Sequence, residues 1–229
     1  MKYYSPFDSV QILHTQQSDG SFHVHQQVAQ LLQQVTQNKV AVAQLIHSND
    51  VVIVDSLSSI VHQCDALITP IANQVISFFV ADCFPVVLFD PIQKVIALVH
   101  CGWRSLDLDI LKKTVNQMRT KFLTESQDIH AWVGPGICTK HYLHKTPPEQ
   151  FKDPRWKGCM SKNEHNLYSI NLSQFINNSL VQLGIKSTEI TFSDTCTFES
   201  TNQLFSHTRS KQTHEPDGRF VVAAWFTAD

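Results

Sequence analysis

The sequence has no excess of charge of either sign and no long apolar run. Eighteen Lys and Arg residues face 20 Asp and Glu residues, which gives a net charge of −2. A chain without a broad basic field does not hold phosphate backbones, so we expect no nucleic-acid partner. No segment approaches the ~20 consecutive apolar residues of a membrane span, and residues 1–10 lack the apolar core of a signal peptide. We therefore expect a cytoplasmic protein without a membrane partner.

Several motifs that would assign a function directly are also absent. Neither GxxxxGK[ST] nor GxGxxG occurs, which excludes a P-loop and a Rossmann fingerprint, and the lack of GxSxG removes support for a nucleophile-elbow hydrolase. The six cysteines form no CxxC pair. In a chain of 229 residues, too long to depend on disulfides, they are expected to be free thiols or metal ligands.

The hydrophobic pattern mixes helical and strand-like segments without regular alternation. Helical spacing of apolar residues is found in residues 26–37, 105–122 and 172–183. Short apolar runs typical of strands occupy residues 10–13, 40–46, 51–55, 75–80, 86–89, 95–99, 129–133, 190–192 and 220–226. Residues 145–165 are polar and contain three prolines, which predicts an irregular surface segment. We therefore predict one α+β domain over residues 1–229, with mixed β-sheets flanked by helices.

One pair of predicted strands carries reactive side chains at its open end. The runs at residues 86–89 and 95–99 are joined by turn residues 90–93 (DPIQ), which predicts a β-hairpin. If its turn is centred near residues 91 and 92, antiparallel pairing places Cys83 beside His100.

Further polar groups are predicted at the same end of the hairpin. Asp82 and Arg104 flank the two reactive residues in sequence, and Ser105 is a suitable N-cap for the helix that follows. Arg104 would then lie at a helix entrance, where backbone N–H groups also favour an anion. Cys101 should point to the opposite face of its strand and pack in the core.

The residues alone leave three interpretations open. Cys83 and His100 could be two of the three protein ligands of a catalytic zinc ion, with His47 as a candidate for the third. The same pair could instead form a thiol nucleophile and its base. The His23 and His25 pair raises a copper oxidase, which we disfavour because a multicopper site would need several such pairs.

Several blocks of sequence resemble the laccase-domain, or YfiH-like, family, also called polyphenol oxidase or peptidoglycan editing factor. They occur in the order and at the spacing of that family, and they cover most of the chain. The matching blocks are residues 45–51 (LIHSNDV for QVHGxDV), 81–86 (ADCFPV for ADCxPV), 100–105 (HCGWRS for HAGWRG), 134–137 (GPGI for GPAIG), 196–197 (CT), and 205–209, in which Phe205, Ser206 and Arg209 fit FSYRRD.

The resemblance implies a single-domain YfiH-like fold, related distantly to a toxin deamidase of the cytotoxic necrotizing factor type. It also implies a zinc ion held by His47, Cys83 and His100, with Arg104 and Arg209 contacting the substrate. Members of the family act on purine nucleosides, by phosphorolysis of adenosine, inosine or methylthioadenosine and by deamination of adenosine. Zinc suits deamination because it lowers the pKa of water, and Arg104 is the best candidate for the phosphate site.

Three positions depart from the family pattern. Gln16 replaces an arginine expected to bind an anion, Thr208 replaces the first arginine of the RRD block, and Leu143 replaces a glutamate. A neutral amide cannot supply the charge of a guanidinium, so altered phosphate and substrate contacts are predicted.

These observations lead to three hypotheses. The first is a zinc-dependent purine nucleoside phosphorylase or adenosine deaminase, with catalytic residues Cys83, His100 and Arg104. The second is a metal-binding or regulatory homologue with altered catalysis. The third is a cysteine or zinc hydrolase that edits peptidoglycan precursors. The expected partner is a small molecule, and the sequence does not define the oligomeric state or the native metal.

Overall fold

The structure is a computed structural model that describes residues 1–228, in which strands and helices alternate irregularly along the chain. The α-helices are α1 His25–Thr36, α2 Trp103–Asp107, α3 Ile110–Phe122, α4 Leu172–Gln182 and α5 His207–Thr213. The strands are β1 Lys2–Tyr4, β2 Val10–His14, β3 Val40–Gln44, β4 Val51–Ile53, β5 Val61–Gln63, β6 Ala66–Thr69, β7 Val75–Val80, β8 Phe84–Asp90, β9 Val95–Cys101, β10 His130–Val133, β11 Leu143–His144, β12 Met160–Lys162, β13 Tyr168–Ile170, β14 Ile190–Phe192 and β15 Phe220–Phe226.

The described strands form two six-stranded sheets and one small sheet. The first sheet has the order β1-β2-β15-β7-β3-β5, the second has the order β14-β10-β8-β9-β6-β4, and β11-β13-β12 form the third. Both large sheets are mixed: β3 runs parallel to β5 and β7, and β4 runs parallel to β6, whereas β8 and β9 are antiparallel. The predicted combination of mixed sheets and flanking helices is therefore observed.

The two large sheets pack face to face, and the alternation of side chains along β8 shows why. Val87 and Phe89 lie in a core shared with Phe78 of the first sheet. Val86 and Leu88 point the other way, into a core with the helices. Because successive side chains of a strand leave opposite faces, a strand that is apolar at every position is buried on both faces.

Helices cover the outer face of each large sheet. Met118 of α3 and Ile176 of α4 pack against the second sheet, and Leu32 of α1 packs against Val42 of the first sheet. The result is a four-layer arrangement of helix, sheet, sheet and helices. Its loops at one end of the two central sheets hold the reactive side chains.

The predicted hairpin is present, but its register differs from one pairing that we expected. Residue Pro85, not Cys83, lies opposite His100 in the antiparallel pair of β8 and β9. Cys83 precedes β8 and follows Asp82, whose φ of 79° is left-handed. The chain therefore bends just before the strand, and Cys83 approaches His100 from a loop. Cys101 is fully buried, as predicted.

The helix predicted after the hairpin is divided into two, and Ser105 is not its N-cap. Gly102 is the N-cap of α2, and Ser105 lies buried within that helix. Asp109 adopts a left-handed φ of 60° and starts α3 in a new direction, which leaves Leu108 50% exposed. The helical spacing of apolar residues continues across this break and therefore does not predict it. Leu108 fits the spacing but does not contribute to the core.

The polar segment at residues 145–165 is more ordered than we predicted. It contains β12 and adjoins β11 and β13, which form the small third sheet. Its Trp156 is completely buried and stacks on Phe175 of α4, with the ring centroids 3.8 Å apart. The buried Trp156 thus fixes this segment against the core despite its polar composition. Among residues 1–228, no helix is long and apolar enough to cross a bilayer.

Candidate metal centre and substrate pocket

Three residues that are distant in sequence meet where the two central sheets end. His47 lies in the loop after β3, Cys83 lies between β7 and β8, and His100 lies near the end of β9. One nitrogen of each imidazole and the Cys83 sulfur all lie within 4.8 Å of one another. The rings of His47 and His100 are perpendicular, with centroids 5.1 Å apart. The structure therefore brings together the three residues that the family resemblance implied as metal ligands.

A buried carboxylate, Asp65, organises this cluster, and no pattern in the sequence singles it out. Its oxygens accept hydrogen bonds from the backbone N–H groups of His47 (3.0 Å) and Ser48 (2.8 Å). Oδ1 also pairs with Nδ1 of His100 at 2.8 Å. Asp65 thus fixes the loop that carries one imidazole and the orientation of the other. A carboxylate behind a histidine in this way is the usual support for a metal ligand.

The electrostatic surroundings distinguish the two histidines. Burial lowers the pKa of His47, and the neighbouring His100 lowers it further, so the neutral imidazole is favoured at His47. Burial also opposes a charge on His100, but Cys83 and Asp65 outweigh this effect and raise its pKa to about 9. Burial of Asp65 is likewise outweighed by hydrogen bonds from His100 and Ser48, which keep its pKa below the ordinary value. The groups around His100 therefore stabilise a positive charge on its imidazole.

The donor set of this cluster fits a zinc ion. Two imidazoles and one thiol supply three protein ligands, and a catalytic zinc typically uses three and leaves a fourth position for water or substrate. The buried Asp65 supplies the outer support expected for such a centre. A divalent cation would also replace the proton that the negative groups around His100 favour.

The cluster lines a pocket of about 570 Å³, a size suited to a small-molecule ligand. Its wall contains aromatic, imidazole and guanidinium groups from both halves of the chain. The lining residues most relevant to binding are His23, His25, Phe79, Trp103, Arg104, Tyr142, His207 and Arg219.

Two guanidinium groups line the pocket, and one of them is paired with a carboxylate. Arg104 lies over the ring of Trp103, with its guanidinium carbon 4.5 Å from the centroid, and its side chain is exposed. Arg219 donates to Oδ1 of Asp217 at 2.6 Å, which holds it at the pocket wall. The sequence identifies Arg104 but not Arg219. Arg219 directly precedes β15, and that segment is predicted only as a closing strand.

The histidine pair near the start of α1 lines the pocket and does not belong to the metal cluster. His25 packs on Phe79, with ring centroids 4.8 Å apart, and burial lowers its pKa. His23 is exposed and interacts with Ser21 at 2.9 Å.

Asp82 ties the Cys83 loop to two later segments. Its Oδ1 accepts a hydrogen bond from the Thr197 hydroxyl and its Oδ2 accepts one from the backbone N–H of Thr208, both at 2.7 Å. The Thr208 contact therefore uses the backbone, although the family pattern has an arginine side chain at this position. Leu143 lies in β11 with its side chain 37% exposed.

Gln16 and Arg209, both chosen from the family pattern, lie outside the described lining of this pocket. Gln16 donates its backbone N–H to Asp19 at 2.8 Å. Arg209 is 2% exposed, and its guanidinium donates to the backbone oxygens of Thr197 at 2.6 Å and Leu204 at 2.8 Å. These contacts give Arg209 a structural role. Its direct contact with the substrate stays a prediction, which these hydrogen bonds do not support.

A small residue is required where the chain passes the metal cluster. A Cβ at Gly102 would lie 2.9 Å from the Cys83 sulfur and 3.4 Å from Cε1 of His100. Gly102 has a φ of −88°, which any residue adopts, so an alanine here crowds the cluster without straining the backbone.

We therefore expect Gly102→Ala to lower zinc affinity by about tenfold or more, because it displaces the ligands, and to lower the unfolding free energy by about 1–3 kcal/mol through overpacking. Competition with a chromogenic chelator measures the affinity, and urea unfolding of the metal-free protein measures the stability. An affinity equal to that of the wild type would contradict the observed proximity.

Solved structures share this fold. The hypothetical protein YfiH of Bacillus licheniformis superimposes with a TM-score of 0.79 at 20% identity, over 95% of this chain and 93% of that one. YlmD of Geobacillus stearothermophilus gives a TM-score of 0.80 at 19% identity, over 98% and 94% of the two chains. The predicted YfiH-like α+β fold is confirmed, and it defines a class of proteins with mixed sheets flanked by helices.

Within that class, the chain belongs to the family described as multi-copper polyphenol oxidoreductase laccase, whose model matches residues 4–227. A purine nucleoside phosphorylase of Haemophilus influenzae is 33% identical over 169 residues, which are 72% of this chain and 65% of that relative, slightly under two thirds of its length. A purine nucleoside phosphorylase of Xylella fastidiosa is 28% identical over 190 residues, 79% of this chain and 69% of the relative. The family predicted from the sequence blocks is confirmed.

Proposed function

We propose that this protein is a zinc-dependent purine nucleoside phosphorylase that acts on adenosine, inosine or methylthioadenosine. The observation that carries the proposal is one pocket containing a Cys-His-His cluster and two guanidinium groups. Relatives named purine nucleoside phosphorylase support the same reaction. Deamination of adenosine is a second proposed activity, supported by the donor set of the cluster.

Phosphorolysis requires the chain to hold a phosphate dianion against C1′ of the nucleoside. Arg104 supplies positive charge and Arg219, although paired with Asp217, adds N–H donors, since guanidinium groups bind phosphate oxygens through paired hydrogen bonds. Asp217 holds Arg219 in place, and the Trp103 ring supports Arg104. These two arginines compensate for the neutral Gln16 in our proposal.

The purine ring needs flat apolar surfaces, which Phe79, Trp103 and Tyr142 provide along the pocket wall. As the bond between C1′ and the base breaks and a bond to a phosphate oxygen forms, negative charge moves onto the base. His47, Cys83 and His100 would hold zinc, which supplies Lewis-acid polarisation in such sites. Asp65 keeps the His47 loop and the His100 ring aligned during the reaction.

The activity is tested by incubating the purified protein with adenosine, inosine or methylthioadenosine, with and without phosphate. Free base and ribose 1-phosphate, or its methylthio derivative, in equal amounts and only with phosphate are the expected products. Inosine formed from adenosine without phosphate would indicate deamination instead. Nucleosides that remain unchanged under all conditions would exclude both activities and leave a binding or precursor-editing role.

The phosphate role of Arg104 has its own expected result. Replacing Arg104 with alanine removes a charged hydrogen-bond donor worth about 1.5–3 kcal/mol, so kcat/KM for phosphate should fall about 10- to 100-fold. The side chain is exposed, so the unfolding midpoint should change little. Arg104→Lys should retain part of the activity because it keeps the charge. Unchanged phosphate kinetics in Arg104→Ala would remove Arg104 from the phosphate site.

A further inference from the structure

Two short turns outside the pocket present a second set of metal-binding side chains. Each turn begins with a cysteine and ends three residues later with a second donor. In the first turn the N–H of His141 donates to the carbonyl of Cys138 at 3.0 Å, and in the second the N–H of Glu199 donates to the carbonyl of Cys196 at 3.2 Å. The first turn follows β10 and the second follows β14, two neighbouring strands of the second sheet.

The backbone holds these turns against each other. Gly136 forms a parallel bridge with Cys196, and its carbonyl accepts the N–H of Thr197 at 3.0 Å. The N–H of Cys138 points to the sulfur of Cys196 at 3.2 Å, and the two sulfurs are 2.6 Å apart. The thiols are therefore adjacent because of main-chain pairing rather than because of flexible side chains.

The other two donors lie next to Cys138. The Cys138 sulfur, the His141 imidazole and the Glu199 carboxylate have donor atoms within 4.8 Å of one another. Nε2 of His141 is 3.2 Å from Oε1 of Glu199, and the imidazole stacks on Phe198 with centroids 4.0 Å apart. The stacking fixes the orientation of the ring.

Cys83 belongs to the pocket cluster. Among residues 1–228, Cys64, Cys101 and Cys159 belong to no group of three metal-binding side chains. At the thiol pair, burial raises the pKa of Cys138 to about 12, and contact with Cys196 adds to the effect, so a nearby cation is needed to stabilise a thiolate there. Lys140 also contacts Glu199, but its exposed side chain can leave when an ion binds.

We propose that Cys138, His141 and Glu199 form a second site, separate from the pocket cluster, for a thiophilic divalent cation such as zinc, with Cys196 as a fourth ligand after its sulfur has moved away from that of Cys138. Thiolate, imidazole and carboxylate are ligand types that zinc accepts, and two sulfurs bound to one tetrahedral zinc lie about 3.7 Å apart, so ion binding would separate the thiol pair. Zinc binding would release the ligand protons. Because Tyr142 of the pocket follows His141 directly and Thr197 binds Asp82, the ion would fasten two segments that shape the pocket.

The test is a Cd²⁺ titration followed by thiolate-to-metal absorption and by metal analysis after desalting. The variants are Cys138→Ser and His141→Ala, whose half-buried positions limit the loss of stability, and Cys159→Ser as a thiol control. Wild type and Cys159→Ser should retain one more ion per chain than Cys138→Ser, and His141→Ala should bind that ion more weakly. The expected difference of one ion per chain does not depend on whether the pocket cluster also binds an ion.

The proposal is overturned if Cys138→Ser retains as many ions as the wild type. It is also overturned if only four of the six thiols react in the denatured, metal-free wild type before a reductant is added. Cys138 and Cys196 would then form a disulfide. Six reactive thiols without reductant, together with the missing ion in Cys138→Ser, would support it.

Discussion

Replacing Asp65 with asparagine will lower zinc affinity by about 10- to 100-fold and unfolding free energy by roughly 3 kcal/mol. The carboxylate is fully buried and accepts hydrogen bonds from the backbone of His47 and Ser48 and from Nδ1 of His100. An amide keeps the shape but removes the charge, and its NH₂ group would face N–H donors. Chelator competition and urea unfolding measure the two effects.

Asp90 provides a matched control for this substitution. It is also fully buried and accepts backbone N–H groups, from Ile92 at 2.8 Å and Gln93 at 3.0 Å, but it lies at the opposite end of the hairpin. Asp90→Asn should therefore lower stability and leave zinc affinity unchanged. If both variants bind zinc equally well, Asp65 does not organise the metal centre.

Arg209→Ala should be the most destabilising of the arginine substitutions, with a loss of at least ~3 kcal/mol in unfolding free energy. The guanidinium donates to the carbonyls of Thr197, Phe198 and Leu204 and pairs with Glu215 at 2.7 Å. Removing it leaves carbonyl groups unpaired, each of which costs about 1–3 kcal/mol when buried. Arg209→Lys should recover only part of the loss, because an ammonium cannot reproduce the planar fork.

Arg155 provides the comparison for this prediction. It pairs with Asp107, Asp109 and Asp153, but its side chain is 40% exposed, so Arg155→Ala should cost about 1 kcal/mol or less. Denaturant unfolding of both variants gives the difference. A stable Arg209→Ala variant with impaired substrate binding would instead support the direct substrate contact implied by the family resemblance.

The hairpin and its two reactive residues could be predicted because local pattern determines them. Apolar β-branched runs on both sides of Asp90 and Pro91 allow little besides a hairpin, and the turn position brings Cys83 and His100 to one end. From the residues alone His47 is one candidate for the third ligand, and only the family resemblance selects it, because its position depends on the packing of β3 and β4 rather than on its neighbours in sequence.

The missed features depend on contacts between distant segments. Asp65 precedes an ordinary apolar strand, and only the fold shows that its carboxylate faces the His47 loop, which hydrophobic periodicity cannot detect. The pairing of Cys138 with Cys196 crosses 58 residues and requires two adjacent strands. The N-cap prediction for Ser105 is wrong because the helix already begins at Trp103, after Gly102, where the apolar spacing gives no signal.

The most direct test of the central claim is zinc-dependent release of hypoxanthine from inosine in the presence of phosphate. The protein is stripped with a chelator and titrated with zinc, beside Cys83→Ser treated in the same way. We predict that activity of the wild type returns with zinc and that Cys83→Ser stays about 100-fold or more below it, since losing several kcal/mol of metal-assisted stabilisation costs at least that much. Full activity in the stripped wild type, or recovery of Cys83→Ser to the same rate, would contradict a catalytic metal centre at His47, Cys83 and His100.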